Sequence, residues 1–395
     1  MFTIVNKILI TFVKIIGVID LLHTLQTLYP AVREKHLQGR YITLKHIEAG
    51  SCSTRTLFSK RSIGVSVQKR PLLLFTAGSG PVKVLMWSQM HGNETTTTKA
   101  LADLFNFLDT GHEAARTIVK HCTLYIIPML NPDGALAYTR ENANGADLNR
   151  DARALLQPES RALRNLCEAV QPRFCFNLHD QRSLYGVGHT SNPAVLSFLS
   201  PLQDKEATVS PARKKAMQLI VGINHLLQKV MPGHIGRYDD AFNPDCTGDT
   251  FQAKGIPTVL FEAGHFKTDY QREEIRKWVF YALVQSLCIL SSKTLFDSYA
   301  YTNYFDIPEN RSSFFDILIT GLGKNKKMAA GIRYKEVLKR DIVNFFPVIE
   351  KKGDLDNYYG HITLNYNKKE DRNYILKDKF LRKLWLPDTD FDPQS

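Results

Sequence analysis

The chain has 395 residues, 44% of them hydrophobic and 23% charged, with a formal net charge of +12. These values place it among ordinary soluble globular proteins, with core enough for one large domain plus an appendage, or for two domains. The charge excess invites an anionic partner. Its local clusters, "KNKK" at 324–327 and "EVLKRD" at 336–341, interleave with no nucleic-acid-binding motif, so they read as a solvated basic face and no nucleic acid is expected.

In chain order, the first element is the apolar stretch "MFTIVNKILITFVKIIGVID". One lysine precedes the apolar run, as in a signal peptide, but Lys14 interrupts it and no small-x-small cleavage site follows. It is too short and too broken to span a bilayer, so residues 1–39 read as an amphipathic or non-native extension, with no stable membrane span expected. Cys52, Cys122, Cys167, Cys175, Cys246 and Cys288 form no CxxC pair, and several lie inside apolar runs such as "FCFNL" and "SLCIL". Reduced thiols and a cytoplasmic location are the expectation, with export left open by the N-terminus.

Residues 40–293 alternate short β-like and longer helix-like runs, which predicts an α/β architecture. The predicted strands are Val82–Trp87, Thr123–Pro128, Arg173–Leu178 and Thr258–Phe261, all dense in aliphatic, aromatic and β-branched residues as doubly buried strands are. The predicted helices are Thr95–Leu108, Glu159–Val170, Ala212–Val230 and Arg272–Leu290. From 294 to 395 the texture changes to short mixed segments with Tyr, Asn and Lys, such as "YYGHITLNYN", predicting a smaller, β-containing C-terminal unit.

Each predicted strand ends in a polar stretch: "HGNE" after Trp87, "NPDGALAYTRENANGADLNRD" at 131–151, "NLHDQR" at 177–182 and "FEAGHF" at 261–266. Strand ends are where open α/β sheets form binding crevices. His91, Glu94 and His179 supply two imidazoles and a carboxylate, the donor set of catalytic zinc sites. Singly, they equally suit a turn histidine, an acidic first-turn residue and a strand-end hydrogen-bonder. Glu262, on an apolar strand that desolvates it, is a candidate base, or else a structural carboxylate paired with a cation. Arg140 is placed to face a developing oxyanion, and Asn149 with Arg150 to grip a carboxylate; either arginine alone suits an exposed surface.

Together and in order, "HGNE", "NPDG", "DLNRD", "NLHDQ" and "FEAGH" resemble the zinc carboxypeptidase family, in a bacterial, metallocarboxypeptidase-like form, over roughly residues 40–290. The resemblance implies a mixed, mostly eight-stranded twisted sheet flanked by helices, with one zinc ion per chain at its C-terminal edge. It matches His91, Glu94 and His179 to the metal ligands, Glu262 to the general base and Arg140 to the oxyanion arginine. Asn149 and Arg150 match the carboxylate-binding pair, and Tyr238 in "GRYDDAFN" a mobile substrate-capping tyrosine. The implied substrate is a peptide, or cell-wall-peptide-like molecule, with a free carboxylate.

There are departures. "LNRDA" stands where the family usually has "LNRNF", expected to alter the pocket floor beside Arg150. "HDQRSLYGVG" replaces a small-residue run, and the interval between "DLNRD" and "NLHDQ" is short. These features leave two alternatives: an N-acyl-amino-acid deacylase resembling aspartoacylase or succinylglutamate desuccinylase, and a non-catalytic pseudo-peptidase.

Overall fold

A computed structural model of the chain describes residues 20–50, 56–238, 241–323, 326–379 and 381–382. The apolar stretch over 1–19, Cys52 and the first half of "KNKK" lie outside the described residues.

The strands of the first sheet are β1 (Ser59–Val65), β2 (Pro71–Ala77), β3 (Val82–Ser88), β4 (Cys122–Ile127), β5 (Phe174–Asp180), β7 (Leu196–Leu199), β8 (Ile235–Arg237) and β9 (Thr258–Ala263), while β6 (Tyr185–Val187) stands apart. They assemble in the order β1-β2-β4-β3-β5-β9-β7-β8. The central β4, β3, β5 and β9 run parallel, whereas β1, β2 and β7 run antiparallel to their inner neighbours. This is the mixed eight-stranded sheet expected, and all seven residues of β5 are buried.

Helices cover both faces: α1 (20–32), α2 (Leu44–Ala49), α3 (Thr96–Leu108), α4 (Glu113–His121), α5 (Pro132–Ala137), α6 (Pro158–Val170), α7 (Pro211–Leu227), α8 (Thr247–Ala253) and α9 (Glu273–Leu290). Strand periodicity sorts the core. Val84, Met86, Phe174, Phe176 and Phe261 pack with α3, α4, α7 and α9 on one face. Leu85, Trp87 and Cys175 pack with Leu163, Leu166 and Cys167 of α6 and Phe251 of α8 on the other. By the same alternation His179 and Glu262 belong to the α6–α8 face.

The described part of the N-terminal segment joins the larger core through Leu25, Tyr29, Val32 and Leu37. Beneath it Arg276 makes a fully buried bidentate pair with Asp103, at 2.5 and 2.7 Å. Lys99, fully buried, donates to Glu273 at 2.7 Å, so α3 and α9 are joined by ionic as well as apolar contacts. Among the described residues no helix is long and apolar enough to cross a membrane, and Cys122, Cys167, Cys175, Cys246 and Cys288 are unbridged.

After α10 (Lys293–Asp297), β10 (Asn310–Ser312) pairs with β6. A second sheet follows, built from β11 (Phe314–Leu322), β12 (Met328–Lys339), β13 (Ile342–Gly353) and β14 (Tyr359–Asn365) in the order β13-β12-β11-β14, with α11 (Lys369–Lys377) against it. The "EVLKRD" cluster is the end of β12 and its hairpin turn, where Arg340 and Asp341 both have positive φ. Its lysine and arginine are exposed as expected, but Glu336 points inward and pairs with the buried Arg40 at 3.0 Å.

Candidate metal centre

Because β3, β5 and β9 are parallel, their C-terminal ends share one edge of the sheet, and each delivers polar residues there. After β3 the chain turns through Gln89 at φ +49°, whose amide donates to Ile42 O at 2.9 Å and to Gly92 O at 2.8 Å. Gly92 lies against the α5 loop so closely that a Cβ there would come within 2.0 Å of the Gly134 carbonyl carbon. A Cβ on Gly134 would come within 2.5 Å of Asn131 Nδ2 and of Glu141 O. The glycines of "HGNE" and "NPDG" thus let two backbones pass where no side chain fits. Asp180 Oδ2 then accepts from Thr96 N at 3.0 Å, anchoring the start of α3.

These supports bring the three predicted ligands together. Single donor atoms of His91, Glu94 and His179 lie within 4.8 Å of one another. His91 Nδ1 is 2.8 Å from Glu94 Oε1, His179 Nδ1 is 2.9 Å from Glu94 Oε2, and the two Nδ1 atoms are 3.2 Å apart. His91 Nε2–H donates to Asp147 Oδ1 at 3.0 Å, which leaves its Nδ1 lone pair facing the centre. Two nitrogens held by one tetrahedral zinc at ordinary bond lengths would stand about 3.3 Å apart. The observed spacing, two inward-facing imidazole nitrogens and one carboxylate fit that ion and leave a fourth direction open.

The electrostatics agree with this chemistry. Burial resists ionisation of Glu94, but His91 and His179 outweigh it and hold the carboxyl well below its usual range. Burial lowers His91 while Glu94 and Asp147 more than reverse that; for His179 burial prevails and its pKa falls. Glu262 is the opposite case. Burial, then Glu94, then Asp180 push its carboxyl well above the usual range, against weaker pulls from Arg140 and Arg272.

The remaining predicted residues line the same cleft, of about 520 Å³. Arg140 holds Asp147 Oδ2 through Nε and Nη2, both at 3.0 Å, and reaches Glu94 Oε1 at 3.3 Å. Asn149 Oδ1 accepts from Thr247 N at 3.0 Å, tying this loop to α8. Among the described residues the Arg150 side chain donates only to Asn149 O and Cys246 Sγ, at 2.8 and 3.1 Å, and it meets no carboxylate. The Tyr238 hydroxyl is 3.1 Å from that of Tyr185, and burial followed by Glu262 raises its pKa.

Two features differ from what the sequence leads one to expect. Asp151 does not alter the cleft floor: its carboxylate accepts from Leu156 N and Gln157 N, each at 2.8 Å, and shapes the turn into α6. Asp147 joins the site unforeseen, although it stands inside "DLNRD" and a carboxylate behind a metal-facing histidine is a recurrent need. Tyr185 and Cys246 also line the cleft, and no pattern in the sequence marks them.

Residues 46–220 match the family model described as zinc carboxypeptidase. Over 210 residues the chain is 24% identical to "Probable carboxypeptidase 2" of Arthroderma benhamiae, covering 50% of this chain and 38% of that protein. Over 102 residues it is 34% identical to "Cytosolic carboxypeptidase 6" of Mus musculus, covering 24% of this chain and 19% of that one. The chain therefore spans well under half the length of these curated relatives. The crystal structure of a metallo-carboxypeptidase from Burkholderia cenocepacia superposes with a TM-score of 0.52 at 19% identity, over 63% of this chain and 69% of that one. The carboxypeptidase A from Helicoverpa armigera gives 0.50 at 14% identity, over 71% and 81%. These two structures share the fold.

Proposed function

We propose, from the match of residues 46–220 to the zinc carboxypeptidase family model, that this chain is a metallocarboxypeptidase hydrolysing a peptide or peptide-like amide bond next to a free carboxylate. One observation carries the reading: His91, Glu94 and His179 converge within 4.8 Å in a cleft that also holds the buried Glu262. The catalytic unit is then residues 40–293, and 294–395 is its appendage.

The chemistry a zinc ion would supply at His91, Glu94 and His179 is Lewis-acid polarisation of a carbonyl and activation of water near neutral pH. Glu262 takes the proton of the attacking water and returns it to the leaving nitrogen. Its raised affinity for a proton suits both transfers, because the acceptor of the first step must be the donor of the second. Arg140 meets the negative charge that develops on the scissile carbonyl oxygen, and Asp147 keeps the guanidinium aimed. Arg150, with no carboxylate partner among the described residues, is available to bind one from the substrate, with Asn149 beside it. Tyr238, which lines the cleft with its hydroxyl against that of Tyr185, is the residue to cap the bound substrate.

A short peptide with a free C-terminus is the substrate this arrangement suits. The mouse relative is named a cytosolic carboxypeptidase, and together with cysteines unbridged among the described residues this favours a cytoplasmic location here. The test is a digest of a peptide library by zinc-loaded protein, read by mass spectrometry beside a panel of N-acyl amino acids. Stepwise loss of C-terminal residues supports the proposal. Release of amino acids from the acyl panel alone would replace it with the deacylase, and silence on both would favour the pseudo-peptidase.

A further inference from the structure

We propose that Glu336, on β12 of the C-terminal sheet, is a positioning residue of the metal site: it clamps the two backbone segments that flank the ligand loop 91–95. On one side its carboxylate takes both terminal nitrogens of Arg40, Nη1 to Oε1 at 3.0 Å and Nη2 to Oε2 at 3.2 Å. On the other it accepts from the Tyr138 hydroxyl at 2.5 Å. Arg40 and Tyr138 are only 6% and 9% exposed, so the contact lies inside the fold although its three residues are distant in sequence.

Each partner is joined directly to the ligand loop. The Arg40 carbonyl accepts from Thr95 Oγ1 at 2.9 Å, next to the ligand Glu94. Tyr138 closes α5 in the left-handed region at φ 56°, a conformation strained for a large side chain and held here by the side chain's anchorage. The carbonyl of the following residue, Thr139, accepts from Asn93 N at 3.1 Å, on the other side of Glu94. Arg140 comes next and reaches Glu94 itself at 3.3 Å. One carboxylate of the appended unit therefore fixes both neighbours of Glu94 and the turn that aims Arg140. A part-buried bidentate arginine–carboxylate pair has the geometric stiffness this needs.

The catalytic part of this inference rests on the carboxypeptidase reading, so the test has an arm that does not. Glu336→Ala and the milder Tyr138→Phe are made in the full chain. Amide hydrogen exchange is followed in peptides covering 91–96 and 138–142, with β5 as internal reference, and zinc loss to a chelator is timed. Both variants should raise exchange in those two segments at least tenfold and leave β5 unchanged, and zinc should leave several-fold faster. On a cleaved peptide kcat should fall tenfold or more for Glu336→Ala while KM moves less than threefold. Wild-type local exchange and zinc release in Tyr138→Phe and in a folded Glu336→Ala would overturn the proposal. If Glu336→Ala does not fold, Tyr138→Phe alone decides it. An inactive wild-type protein would refute the carboxypeptidase reading, and local exchange and zinc release would then decide the role of Glu336 by themselves.

Discussion

His179 and Glu262 are direct cross-strand partners in the parallel β5–β9 pair, one a metal-facing imidazole and the other a buried carboxyl. Their side chains stand on the same face of the sheet because strands in register expose matching positions to one side. The distance between the proposed ligand and the proposed base is thus set by strand pairing, which deforms less than a loop does.

The first prediction concerns that pair. Glu262→Gln should retain zinc and lose about 10²–10⁴-fold in turnover, the usual contribution of a positioned base. Because the folded carboxyl binds its proton more tightly than the unfolded chain, the wild type loses stability as pH rises from the unfolded value of 4.5 through the raised folded value. Glu262→Gln removes that loss, so in metal-free protein its melting temperature should exceed that of wild type at pH 8 and approach it at pH 4.5. Equal activity in the variant would refute the assignment of the base.

Asp147 bridges His91 and Arg140. Partial burial resists ionisation of its carboxyl, but His91 and then Arg140 outweigh that and hold it well below the usual range. Asp147→Asn should weaken zinc binding about 10–100-fold, as loss of the group behind a metal-bound histidine commonly does. Competition against a chromogenic chelator reads this directly, and unchanged affinity would remove Asp147 from the site.

Substitution at Arg150 should separate binding from chemistry. Arg150→Met removes charge-assisted hydrogen bonds of about 1.5–3 kcal/mol. The expected result is a KM raised about 10–100-fold for peptides with a free C-terminus, with no discrimination left against C-terminally amidated ones. Arg150→Lys should rescue little, because a lysine cannot reproduce the planar two-pronged grip.

Glu273 is the counter-ion of the buried Lys99 and also contacts Arg276. Burial resists its ionisation, but Lys99 and then Arg276 and Arg33 outweigh it and lower its pKa from 4.5 to about 2. With a depressed folded pKa, the stabilisation is fully present above pH 4.5 and is lost as pH falls through about 2. Glu273→Gln leaves the buried Lys99 ammonium with the neutral Gln271 carbonyl but without its counter-charge, and should cost about 3–5 kcal/mol at neutral pH. Denaturant titrations at pH 7 and pH 3 should show the gap between variant and wild type narrowing in acid.

How legible this site is in the sequence depends on where each contact originates. His91, Glu94, His179 and Glu262 are readable because strand ends of a parallel sheet meet wherever the helices between them pack, and the short motifs sit at those ends. The four strands and four helices named from the sequence are legible through dense apolar runs and helical stripes, and their predicted bounds fall within a few residues of those observed. The longest strands, β12 and β13, are foreseen only as part of a β-containing unit. Short strands such as β6, β8 and β10, at three residues each, have too few positions to show a period. Asp147 meets His91 across 56 positions, and Glu336 meets Arg40 across 296, contacts no local pattern encodes. Glu336 also sits in a run of basic residues, where a single acidic position reads as one more solvated charge. Asp151 misleads for the opposite reason: it adjoins Arg150 in sequence, but its backbone turns it towards the loop before α6.

The close passage of Gly92 over Gly134 has a consequence for how this scaffold could be re-engineered. That half of the rim has no room for new atoms, so variation there disrupts the site before it changes what the cleft prefers. Gly145, across the same loop system, has open space around it but sits at φ +72°, where a side chain would be strained, whereas Ala241, Phe242 and Pro244 border the cleft without a positive φ. Libraries aimed at a new ligand belong at 241, 242 and 244, with 89–94 left untouched.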